Sequence, residues 1–195
     1  ELAEGARAWY AEHGRPWMYA EETAGFELSG GALQIGGQVF GSRRLHGQLL
    51  AAEAHRGVLV LVSAGSQCEQ RAHELWLEEK PDEYFFLEIY GSAVAEHLVT
   101  RAGARLCAWA EANGMAVLPH YSPGYTGWDV SDQHRLFELL RPDGGRGFPE
   151  AVQVRESGML QPKKSLLALF GLTRHLERMQ QMRELVPCEN CAFQK

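Results

Sequence analysis

No run of this chain comes near the ~20 consecutive apolar residues that span a bilayer. The N-terminus, ELAEGARAWY, has no basic segment followed by an apolar core, so it does not read as a signal peptide. Cysteine is scarce: Cys68, Cys107, Cys188 and Cys191 are the four in 195 residues. Two of them fall in predicted helices and two form a C-x-x-C near the end, which is no disulfide framework and fits a reducing cytoplasm. Positive charge is not in excess. The formal net charge of −6 argues against a general binder of nucleic acid or anionic membrane. There is no G-x-G-x-x-G, no G-K-[ST], no G-x-S-x-G and no H-E-x-x-H, so nucleotide-phosphate, serine-hydrolase and zincin chemistries lack their signatures. Internal repeats and low-complexity linkers are also missing.

What is present suits a globular α/β domain. Hydrophobic residues make up 45% and charged residues 23%, enough to build a core at this length. Leu2–His13 has weak helical periodicity and stops at Gly14 and Pro16. Phe26–Phe40 is Gly-punctuated and alternating, which predicts two short strands. Ser42 caps a predicted helix reaching about Ala54, with Leu45, Leu49 and Leu50 inward. Gly57–Ser63, GVLVLVS, reads as a central strand buried on both faces. Ala64-Gly65-Ser66 then opens a helix to about Glu79. That junction is either a simple strand-to-helix turn or an anion site at a helix start.

Pro81 and Asp82 open the longest predicted helix, to about Asn113-Gly114. Ile89, Ala93, Glu96, Thr100, Gly103 and Cys107 share one face of it, and most are small. Such a stripe lets another backbone approach, and a carboxylate buried there needs a cation, a backbone donor, or a ligand hydroxyl or amine. An exposed or salt-bridged Glu96 is the plainer alternative. Met115–Leu118 is a short predicted strand. It leads into His120–Leu140, HYSPGYTGWDVSDQHRLFELL. Pro123-Gly124 there suits a turn with positive φ at the glycine, and Tyr125 and Trp128 supply flat surfaces. Asp129 or Ser131 caps a helix over Asp132–Leu140, which Arg141–Gly145 ends. Ala151–Val154 and Ser165–Phe170 read as strands, Lys163 and Lys164 as solvated, and Leu172–Leu185 as a helix. The C-x-x-C of the tail is half of a zinc or iron–sulfur site. It reads as a non-coordinating tail, a metal site completed by other residues, or a redox pair.

Two ordered signatures, HYSPGY followed by QHRLFELL and then VRESGMLQPKKSLLALFG, resemble the reactivation domain of cobalamin-dependent methionine synthase. That family shows R-P-A-P-G-Y-P-x-C-P-x-H, a helix ending in a leucine pair, and L-T-E-S-x-x-M-x-P-x-x-S-V-S-G. This chain keeps Pro123, Gly124, Tyr125, His134, Glu156, Ser157, Pro162 and Ser165. AVAEHL at Ala93–Leu98 matches the family's long helix, so the likeness covers most of Val58–Gly171. The resemblance implies a C-shaped, single α+β domain over 1–186, with a twisted, mainly antiparallel sheet flanked by helices, and a tail over 187–195. It implies an accessory protein that binds S-adenosylmethionine in a shallow groove. The methyl donor would be presented to a cobalamin on a corrinoid-binding partner, while a flavodoxin-like protein supplies the electron. The same fold without the methyl donor would be a docking module.

By position, the resemblance puts Glu96 at the amino or ribose end of the ligand. Ser122, Gly124 and Tyr125 would bind through backbone and ring, and His120 and Glu156 complete the set. Cys188 and Cys191 would be the ligands if the tail holds a zinc ion or an iron–sulfur cluster. The family's arginine falls at His120, and an imidazole is mostly uncharged at neutral pH and lacks the bidentate fork. Its P-x-C-P has become Thr126-Gly127-Trp128-Asp129.

Overall fold

The computed structural model describes residues 1–140 and 147–178. Its centre is a four-stranded antiparallel sheet in the order β1 (Trp17–Glu22), β5 (Arg56–Ser63), β9 (Ser165–Thr173), β6 (Ala116–Val117). β5 and β9 pair along eight registers, from Arg56↔Leu172 to Ser63↔Ser165. Gly57 to Ser63 are all buried, as the continuous apolar run requires of a strand covered on both faces. Each fully buried Val or Leu there contributes about 1.5–3 kcal/mol.

The two faces belong to two cores. Alternate residues of β9 separate them: Leu167 and Leu169 face one, Ala168, Phe170 and Leu172 the other. The first core is closed by β2 (Glu27–Ser29), β3 (Ala32–Ile35), β4 (Gln38–Phe40), α2 (Arg43–Ala51) and α5 (Asp132–Glu138). The second is closed by α4 (Pro81–Ala112), 32 residues long, through Leu98, Val99, Ala102 and Ala110. A third cluster joins α1 (Leu2–His13), α3 (Ser66–Leu77) and the first turns of α4. A two-stranded ribbon, β7 (Gln153–Val154) with β8 (Leu160–Gln161), lies apart from the main sheet.

Several expectations are corrected. Phe26–Phe40 holds three strands, because Gly30-Gly31 and Gly36-Gly37 each take positive φ and close two successive hairpins. Trp17–Glu22 is a strand that no simple alternation marked; its pairing with β5 makes it one. Leu50 is exposed, while Leu45 and Leu49 are buried. Ser42 does cap α2, accepting from the Leu45 amide at 3.3 Å. On α4 the close approach falls on Gly91, Ala95 and Ala102, and the stripe through Ile89, Glu96 and Thr100 faces outward. Glu96 is therefore exposed. Lys164 is mostly covered, its ammonium 3.1 Å from Glu88 and 3.0 Å from Ser92 Oγ. Leu172 and Thr173 continue β9, so no helix starts at Leu172. Residues 176–178 are helical as expected; Arg141–Gly145, residues 179–185 of the predicted C-terminal helix, and Cys188 and Cys191 lie outside the described residues.

Candidate functional site

After β6 the chain continues along β9 at the edge of the sheet and stays tied to it. The Leu118 amide donates to Gly171 O at 2.9 Å. Tyr121 and Leu169 exchange both backbone hydrogen bonds, at 2.9 and 2.8 Å. Ser122 Oγ donates to Leu167 O at 2.7 Å. The corner itself is closed by Tyr125 N to Ser122 O (3.0 Å), Gly124 N to Trp128 O (2.9 Å) and Trp128 N to Tyr125 O (2.9 Å). Gly124 has φ +91°, and an added Cβ would meet only Val130 at 3.7 Å. Backbone conformation, and not space, therefore demands glycine here. Beneath the corner Tyr121 stacks on Trp128 at 6.2 Å, and the Trp128 indole N–H donates to the buried Asp132 at 3.0 Å.

On this corner three rings converge. His120 lies 5.9 Å from Tyr125 and 5.5 Å from Phe170 between ring centroids. Its Nε2 is 3.3 Å from the Tyr125 hydroxyl. Phe170 comes from β9 and packs under Gly103 of α4, where a Cβ would stand 3.1 Å from the ring. Glu96 sits two turns before Gly103 on that same helix face. Burial pushes the His120 pKa below its ordinary value, and the Glu96 charge opposes that only in part. Burial also raises the Tyr125 hydroxyl to about 12, with Glu96 and then Tyr121 adding to it. At neutral pH the site is thus a neutral imidazole and a neutral phenol beside one carboxylate. It contains no activated nucleophile. It can hold a flat ring, and it can attract a cation.

The structure brings His120, Tyr125 and Phe170 into contact, and the Glu96 charge is near enough to act on His120 and Tyr125. Ser122 is 4% exposed and its hydroxyl is engaged with Leu167 O. The Gly124 N–H is engaged with Trp128 O. These two build the corner from within. Glu156 is exposed in the turn between β7 and β8, and among the described residues no contact links it to the cluster. Phe170 was not foreseen at the site, although the alternation Ala168, Phe170, Leu172 carried the signal that it faces α4.

No protein-family model matches the chain, and no curated protein sequence matches it. Among solved structures it is similar to the MetH reactivation domain, solved bound to AdoHcy. The TM-score is 0.65 at 13% identity, over 89% of this chain and 64% of that one. The chain resembles the MetH reactivation domain in fold. It spans 64% of that chain's length, less than two thirds.

The strand-to-helix turn at Ala64-Gly65-Ser66 is also settled by geometry. The start of α3 is met by this chain's own carboxylate. Glu150 accepts from the Ser66 amide at 2.8 Å, from the Trp17 indole N–H at 2.7 Å and from Ser63 Oγ at 2.9 Å. An incoming anion would have to displace it. Among the described residues no group of three or more His, Cys, Asp or Glu could hold a metal ion. No described helix is long and apolar enough to cross a membrane.

Proposed function

We propose that this chain is an accessory protein of the methionine-synthase-activation kind. It binds S-adenosylmethionine between the outer face of α4 and the corner at His120–Tyr125, in support of reductive reactivation of a cobalamin methyltransferase system. The observation that carries the reading is the fold likeness to a domain solved with AdoHcy, joined to the meeting of His120, Tyr125 and Phe170 at one corner within reach of the Glu96 charge. The residues fit the ligand class in part. Glu96 suits an ammonium or a ribose hydroxyl, and the rings suit an adenine or sulfonium face. His120, held neutral by burial, offers the ligand's carboxylate no fixed positive charge. The bound donor would supply the methyl group; the chain binds and orients. A corrinoid-binding partner would hold the cobalamin, and a flavodoxin-like protein would supply the electron.

A second reading is favoured by α4. Phe85 and Ile89 are exposed on the same face as Glu96. An apolar surface rimmed by charge suits a partner, so the fold can serve as a docking module for a corrinoid protein without a methyl donor. Calorimetry separates the two. S-adenosylmethionine and AdoHcy are titrated into the wild type, Glu96→Ala and His120→Arg. The first reading expects saturable heat in the wild type and about tenfold weaker binding in Glu96→Ala, the loss of one charge-assisted contact. No heat in the wild type, with binding created by His120→Arg, would overturn it in favour of the second.

A further inference from the structure

Helix α3 buries Cys68, Ala72 and Leu75 against α1 and α4. Its opposite face carries Gln70, His73 and Trp76, spaced by three along one side. Gln70, His73 and Trp76 are all exposed. That face borders an open cleft of about 820 Å³, whose other wall is the β7–β8 ribbon with Gln153 and Gln161 and whose end is Tyr84. The volume lies within the ~300–1,000 Å³ of small-molecule sites. No residue of the His120–Tyr125 corner lines it.

The chemistry of the walls narrows the ligand. Trp76 is 61% exposed, an unusual state for so large an apolar side chain. Tyr84 meets it edge-on at 5.4 Å and fixes the indole plane, leaving ring surface turned to the cleft. Across from it, Gln153 Nε2 donates to Gln161 Oε1 at 2.7 Å. That bond ties the two amides together and uses neither Gln153 Oε1, an acceptor, nor Gln161 Nε2, a donor. An amide side chain carries an acceptor and a donor together, the pairing that reads the edge of a heterocyclic base. Charge at the cleft is already neutralised within the chain. Lys163 Nζ is 3.4 Å from Glu88, Glu69 accepts the Lys163 amide at 3.0 Å, and the start of α3 is met by Glu150. The one described lysine that lines the cleft, Lys163, is paired with Glu88, so a phosphate would have to compete for it.

We propose that this cleft is a binding site for a neutral, nucleoside-type heterocycle, stacked on Trp76 and read at its edge by Gln153 and Gln161. It is separate from the corner at His120–Tyr125. A free nucleoside is favoured over a base within a nucleic-acid strand, because the chain's net charge is −6 and the one described lysine that lines the cleft is paired with Glu88.

The test titrates adenosine, guanosine, cytidine and uridine into the whole chain by calorimetry. Maltotriose serves as a neutral non-aromatic probe and a mixed-sequence dodecanucleotide as the strand probe. At least one nucleoside is expected to bind. Trp76→Ala is expected to weaken it about tenfold, the loss of one base–aromatic stack, and Trp76→Phe to keep most of the affinity. Gln161→Ala is expected to weaken it as well. Glu96→Ala, which removes a contact at the other corner, is expected to leave it unchanged, so this result stands or falls apart from the S-adenosylmethionine experiment. Trp76 and Gln161 are not core residues, and unchanged melting temperatures would exclude misfolding. Absence of binding by all four nucleosides overturns the proposal. So does nucleoside binding that ignores both Trp76→Ala and Gln161→Ala, binding of maltotriose alone, or binding of the dodecanucleotide alone.

Discussion

Glu150 holds together a corner of the molecule that no motif announces. Trp17, Ser63 and Ser165 stand in one row across β1, β5 and β9, and Ser165 Oγ donates to Ser63 Oγ at 3.0 Å. Trp17, Ser63 and the first amide of α3 all donate to the one carboxylate. Burial raises the Glu150 pKa, but the hydrogen bonds from Trp17, Ser66 and Ser63 outweigh it and hold it below 4.5. A carboxyl depressed in the folded state adds stability above its ordinary value and loses it as pH falls through the folded one. Glu150→Gln keeps the shape but turns an N–H₂ toward donors. We expect it to cost about 2 kcal/mol at pH 7, the scale of hydrogen bonds to a charged group. The gap from wild type should close as pH falls below 4.5. Urea unfolding at pH 7 and at acid pH reads both; equal stability at pH 7 would remove the anchor role. The sequence hid this residue because its partners are distant in the chain. It also hid Phe170, since a strand's alternation marks its faces without naming what covers each. Pro123-Gly124-Tyr125 was legible because its demand is local: a positive φ that glycine meets best.

At the scale of elements, α4 shows why a correct helix was read with a rotated face. Ile89–Cys107 and Gly91–Ala102 both give small residues at steps of three and four, and periodicity alone does not choose between them. Packing chooses. A Cβ at Gly91 would stand 2.6 Å from Cys68 Sγ and 2.9 Å from Lys164 Cγ. Cys68 is fully buried, and Lys164 is held by Glu88 and Ser92. Neither can give way freely, so α3, α4 and the start of β9 meet at this glycine. Gly91→Ala should destabilise the chain by about 1–3 kcal/mol through overpacking. Cys68→Ala in the same chain should recover part of that loss, because it empties the space the new methyl needs. Strictly additive losses in the double variant, measured by thermal unfolding, would show that the two residues do not compete for that space.

At the scale of the whole molecule, the two candidate sites rest on elements of different depth. The corner at His120–Tyr125 is bonded to β9 through Tyr121 and Ser122, and β9 with β5 lies between the two main cores. The cleft is walled by α3 and by β7–β8, a ribbon whose strands have two residues each. Opening free energy follows buried apolar contact, so the sheet centre should open only with global unfolding and the ribbon well below it. In native-state hydrogen exchange, the β5 and β9 amides from Val58 to Val62 and from Leu166 to Phe170 should be the slowest. Amides of Val154 and Leu160 should exchange far faster. Equal protection of ribbon and sheet centre would refute this order. The order also separates the sites in one experiment. A heterocycle held between Trp76 and Gln161 should slow exchange in the ribbon, which has protection to gain. A ligand at the His120 corner should leave the ribbon unchanged, because its contacts run through a strand already at the global limit.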